Sequence, residues 1–334
     1  MAGMTHAATA AGSLPELSWG RLLSSWQLDL PALLVAAVLG GLYGWGVLRV
    51  RRRGESWPLA RTASFAVLGL GTLVAATMSA LAVYDRVLFW PAAVQNVLLD
   101  LIAPIGLALG DPLRLALRAL PERGVARVRW AMSGRLVRLL TFPLVSTALV
   151  LTTELTVYFT PYFETALAHS WLHELLYLHL LVAGLLFVLP LLTREEALPA
   201  WCTHPVRAAL VFLDGIVDAV PGIAVMTHGA LIAGAWYAHH APSWAPDVQR
   251  EQQVGGGAMI GVAELVTVCF LLVILAQWFR TERAQAVVLD RRLETELVPA
   301  AAAVPGQERN PDLVRPWWET EGGEVAERIR RGRP

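Results

Sequence analysis

Lysine is absent from the 334 residues: all 27 basic residues are arginine, matched by 27 acidic ones. The positive-inside rule counts arginine and lysine alike, so the bias reads as genomic base composition rather than mechanism. Zero net charge says little about partners, and no nucleic-acid partner is expected. Charge of either sign is scarce at 16%, whereas 55% of residues are hydrophobic and the mean hydropathy is +0.50. That is far greasier than a soluble globular domain. Cysteine is nearly missing too. Cys202 and Cys269 are too few, and too apolar in their surroundings, for a disulfide framework or a thiolate zinc site. The first 30 residues lack the basic start and apolar core of a secretory signal, so they are expected to remain as a polar extracytoplasmic lead. Catalytic motifs are also missing: there is no Gly-x-Ser-x-Gly, no His-Glu-x-x-His and no phosphate-cradling loop. "HELLYLH" at 173–179 places its second histidine six residues on rather than four, which breaks the zinc-protease geometry. No enzyme is expected.

What is present is a series of long apolar runs. A bilayer needs about 20 apolar helical residues per crossing. Seven stretches qualify, near 31–49, 62–83, 88–109, 139–159, 171–192, 208–237 and 256–279. The expected fold is all-α, a polytopic membrane protein with a seven-transmembrane-helix bundle over 31–279. Arginines set its orientation. The connection after the first run holds Arg49, Arg51, Arg52, Arg53 and Arg61, and that after the third holds Arg114, Arg118, Arg123, Arg127, Arg129, Arg135 and Arg138. The intervening connections hold Arg86, none and Arg250. This alternation places the N-terminus outside and the C-terminus in the cytoplasm. Residues 280–334 read as a cytoplasmic helix, an Ala/Pro linker and a tail carrying Trp317 and Trp318. The sixth run is overlong, and Pro221 and Gly222 predict a break inside it.

Polar groups interrupt these runs. "LFWPAAVQNVLLDLIAPIGLALGDP", Leu88–Pro112, carries Gln95, Asn96 and Asp100. Glu154, His173, Glu174, His179, Asp214, Asp218 and Glu264 lie in other runs. Intramembrane ionisable groups are costly, so they face a bundle interior and pair, or they act. At 1.5 Å per residue, Asn96, Asp100, His179, Asp218 and Glu264 fall at a common depth. Asn96, Asp100, Glu154, Asp214 and Glu264 are expected to form a buried polar network. His173 and His179 are six apart, about 120° around a straight helix, so one metal ion is not easily held by both. Met226, Met259 and His228 could supply soft donors, although membrane methionines usually pack. Gly257 and Gly261 have the small-xxx-small spacing of close helix approach.

Three segments, "YDRVLFWPAAVQNVLLDLIAPIGLALGDPLRLALRALP", "VYFTPYFETALAHSWLHELLYLHLLVAGLLF" and "VGGGAMIGVAEL…AQWFRTERAQAVVLDRR", in this order and spacing, resemble the CtaG family over about 60–292. The resemblance implies a multi-pass protein of the bacterial inner membrane that assists cytochrome c oxidase biogenesis. It implies an oxidase subunit as partner beside the lipid bilayer, and copper as cargo for the copper B centre. The family's histidine pattern falls on Ala92 and Asn96 in the third run, on His173 and His179 in the fifth and on Asp218 in the sixth. The implied metal residues are thus His173, His179 and Asp218. Histidine is replaced at three of the five pattern positions, Ala92, Asn96 and Asp218, which moves weight from copper delivery toward chaperoning an apoprotein. A proton- or ion-translocating protein using the mid-membrane carboxylates is the competing reading.

Overall fold

The computed structural model describes residues 14–140, 142–192 and 204–301. The chain divides into two units, Met1–Trp278 and Phe279–Pro334. In the second, the described residues are helical. Residues 1–13 and the tail with Trp317 and Trp318 lie outside the described residues.

Among the described residues there is no strand. The helices are α1 (Trp19–Ser24), α2 (Leu30–Arg52), α3 (Leu59–Tyr84), α4 (Phe89–Leu109), α5 (Pro112–Ala119), α6 (Glu122–Ser133), α7 (Arg135–Leu140), α8 (Pro143–Phe159), α9 (Tyr162–Ala168), α10 (Ser170–Leu192), α11 (His204–Thr227), α12 (Gly234–His240) and α13 (Val248–Ala301). Six of them, α2, α3, α4, α10, α11 and α13, are long and apolar enough to cross a membrane. The pair α8 and α9, bent by 64° at Thr160 and Pro161, makes a seventh candidate when the two are counted as one broken span. The all-α multi-span architecture is as expected. The fourth crossing differs because Pro161 has no backbone N–H to continue α8.

The sixth crossing differs as well. α11 runs through Pro221 and Gly222 and ends at Thr227. The interruption comes after it, over 228–233, where Ala233 takes a left-handed backbone (φ 48°) before α12. Gly222 is needed for contact rather than for a break: a Cβ on Gly256 of α13 would lie 2.8 Å from its carbonyl oxygen. Gly257 and Gly261, by contrast, have nothing within 4 Å of a built Cβ. The close approach is made one residue earlier than the spacing predicts, about 100° around the helix.

α4 is the hub. Of its apolar window 78% is buried, against 24–50% for the other unbroken crossings. Small residues Ala92, Ala93, Ala103, Gly106 and Ala108 let α3 and α10 close on it. A Cβ on Gly184 of α10 would fall 1.7 Å from the carbonyl oxygen of Asp100, so only glycine fits that crossing. α4 widens into π-helical turns at Leu98–Ile102, a local departure that often marks functional positions.

At one end the lead is sewn to the bundle. Gln27 donates its backbone N–H to Met78 and its side-chain Nε2 to Ala82, both at 2.8 Å. The Tyr84 hydroxyl donates to Pro15 (2.9 Å) and the Trp244 indole to Leu14 (2.8 Å). At the other end Arg61 pairs with Asp111 at 2.8 Å, and the Tyr43 hydroxyl donates to Gly110 at 2.8 Å.

Candidate functional site

The four-residue connection between α3 and α4 begins with Asp85, and it is too short to carry that carboxylate out to water. Asp85 is 1% exposed. α12 holds the connection from above: the Tyr237 hydroxyl donates to the Asp85 carbonyl (2.8 Å) and the Trp236 indole to that of Arg86 (2.9 Å). Burial pushes the Tyr237 hydroxyl well above the usual phenol range, so it stays a donor at any physiological pH. His173 and Tyr177, four apart on one face of α10, meet the carboxylate. His173 Nε2 is 2.8 Å from Asp85 Oδ2 and 2.7 Å from the Tyr177 oxygen, and Tyr177 donates to Asp85 Oδ2 at 3.1 Å. Gln95 of α4 donates to the Tyr177 oxygen (2.6 Å) and to the Ala76 carbonyl (2.8 Å) beside the interruption of α3 at Ser79. Among the described residues, Asp85 Oδ1 and His173 Nδ1 are buried and have no hydrogen-bond partner. With Nε2 turned to the carboxylate, a neutral ring keeps a lone pair on Nδ1.

A lateral groove of about 320 Å³ lies between α2, α3 and α10. Pro31, Val35, Leu73, Trp171 and Leu178 wall it, and it reaches Tyr177. Glu174, also on the groove, hydrogen-bonds Asp29 at the start of α2. Apolar walls thus lead from the lipid-facing side toward the His173 centre.

One crevice further along α4 gathers a second set of polar groups. Asp100 shares a hydrogen bond with Glu154 of α8, and Asp218 of α11 lines the same crevice beside Val97, Phe187 and Ala263. Asn96 donates to the Tyr158 hydroxyl at 2.9 Å.

The sequence-derived residues therefore separate. Asn96, Asp100, Glu154 and Asp218 lie along one side of α4, and three of them share the crevice. His173 belongs to the Asp85 centre, while His179 faces Thr153 of α8 at 3.3 Å. Glu264 is exposed on α13. The Asp214 side chain lies outside the described residues. Among the described residues, no three His, Cys, Asp or Glu side chains gather as a metal-holding group. His173, His179 and Asp218 sit in three neighbourhoods, an arrangement that does not fit a resident copper ion. Sequence reasoning missed Asp85, Tyr177, Tyr158 and Tyr237. For Asp85 the shortness of the connection was the available signal. Tyr177 was legible from its i, i+4 spacing to His173.

Comparisons with known proteins fit this architecture. Residues 41–281 match the model of a family described as cytochrome c oxidase caa3 assembly factor. An uncharacterized protein of Mycobacterium bovis and one of Mycobacterium tuberculosis are each 29% identical over 306 residues, covering 88% of this chain and 46% of theirs. A Mycobacterium leprae protein is 29% identical over 282 residues, 82% of this chain and 42% of its own. The chain thus spans less than half the length of these curated relatives. No solved structure matches it significantly.

Proposed function

The chain belongs to the cytochrome c oxidase caa3 assembly factor family, and from that premise we propose that it acts as a non-enzymatic chaperone on an oxidase subunit within the bacterial cell membrane. The observation that carries this reading is the groove that opens laterally between α2, α3 and α10 and reaches Tyr177, the hydroxyl partner of His173. A partner's apolar side chains can enter it without crossing water, and Tyr177, which bonds His173, lines it.

Copper delivery to the copper B centre is the finer version. Its support is His173, whose Nε2 is held by a carboxylate, an arrangement common behind metal-ligating imidazoles. A single nitrogen with no second and third donor gathered beside it among the described residues does not retain copper(I), which favours several soft ligands. Chaperoning of the apoprotein therefore carries more of the reading. Deleting the gene tests both versions: oxidase activity falls in either, and added copper restores it only under copper delivery. Unchanged oxidase activity overturns the assembly role. Copper content of the purified protein, with and without His173→Ala and His179→Ala, separates the versions further.

The Asp100, Glu154 and Asp218 crevice supports a second reading, a proton path through the bilayer. Proteoliposome proton flux that is the same in the parent, Asp100→Asn and Asp218→Asn excludes it.

A further inference from the structure

The connection between α4 and α8 has a part that the rest of the fold does not use. The flanking apolar helices stop at Leu109 and begin again at Pro143, so in a bilayer that they cross the three short helices between them are confined near its surface. α5 is anchored: Leu115 and Ala119 are buried, the Arg53 side chain donates to the Arg118 carbonyl at 2.6 Å, and the Arg118 side chain lies 3.9 Å from Glu55. α6 has no buried residue. Its Arg123, Arg127 and Trp130, spaced by four and three, fall on one stripe. All three are exposed, Trp130 to 79%, and among the described residues no ion pair engages either arginine. Val125, Val128 and Met132 form the opposite, half-buried face. The positive-inside rule accounts for arginines on this side, but not for an exposed indole held in register with two of them.

We propose that the Arg123, Arg127 and Trp130 stripe of α6 is a binding site for anionic phospholipid in the adjoining leaflet. The guanidinium groups pair with headgroup phosphates, and the indole takes the interfacial level at which its ring is half solvated and its N–H can find an acceptor. The choice of a lipid over an acidic protein rests on charge complementarity together with the tethering of both ends of the connection at the membrane surface.

The test reconstitutes the full chain into vesicles of phosphatidylcholine and phosphatidylglycerol, with brominated chains on one lipid or the other. The emission of Trp130 is isolated as the difference between the parent and Trp130→Phe. Stronger quenching by brominated phosphatidylglycerol is expected. The relative association constant for that lipid should fall about fivefold for each arginine removed in Arg123→Gln and Arg127→Gln, and should weaken in high salt. Equal quenching by the two lipids overturns the proposal. So does a Trp130 that neither lipid quenches, which would place the stripe against solvent or an acidic protein. Oxidase activity is not the readout, so failure here is distinct from failure of the assembly role.

Discussion

A hydroxyl group ties Gln95, His173 and Asp85 together, which makes Tyr177 the informative residue of the buried centre. Tyr177→Phe keeps the ring and removes the bonds. It leaves a carboxylate oxygen and an amide short of a partner and is expected to cost about 1–3 kcal/mol, read as a shift of the unfolding transition in detergent. Tyr158→Phe should cost about the same, by stranding the Asn96 amide. Thr152→Ala, whose hydroxyl bonds its own helix at an exposed position, should stay within about 0.5 kcal/mol and serves as the control. Removing the acid is harsher. Asp85→Ala strips both His173 and Tyr177 of their acceptor and should cost more than either tyrosine change, while Asp85→Asn keeps an acceptor and costs less. The sequence shows that Asp100 and His173 lie within apolar runs, but not which groups they meet. Pairing between helices depends on rotation about each axis, and an exposed glutamate such as Glu264 has the same spacing and depth as a buried one.

Between elements, contact distance is set by glycine, and two substitutions separate packing glycines from incidental ones. Gly184→Ala drives a methyl into the Asp100 carbonyl and should force α10 away from α4, lowering folded yield sharply. Gly257→Ala meets open space and should be tolerated, with full yield and an unchanged unfolding temperature. The reverse result would mean that α13 turns the Gly257 face, not the Gly256 face, toward α11. The spacing of Gly257 and Gly261 marked the correct region and the wrong face, because a repeat of four identifies a stripe without saying what lies opposite. Pro221 likewise signals a missing hydrogen bond, which α11 absorbs by continuing, supported at Gly222 by α13.

For the whole molecule, hydropathy alone made the crossings legible. A run of some twenty apolar residues has few alternatives in a bilayer, and the family resemblance rests on the same segments. The arginine distribution further predicts that residue 54 and residue 290 face the cytoplasm while residue 243 faces outside. Reporter fusions that are active on only one side of the membrane check this: activity at 54 and 290 should match, and activity at 243 should be opposite. Equal activity at all three would remove the arginine argument for orientation.

The backbone carbonyls of Leu14 and Pro15 are held by side chains from residues 244 and 84. The Leu14 latch therefore closes only after Trp244 has been translated, whereas Pro15 and Gln27 are held by Tyr84, Met78 and Ala82 of α3. A nascent chain arrested between Tyr84 and Trp244 would hold Pro15 and Gln27 but leave Leu14 unlatched, and one released beyond Trp244 would hold all three, a difference that limited proteolysis of the lead can read.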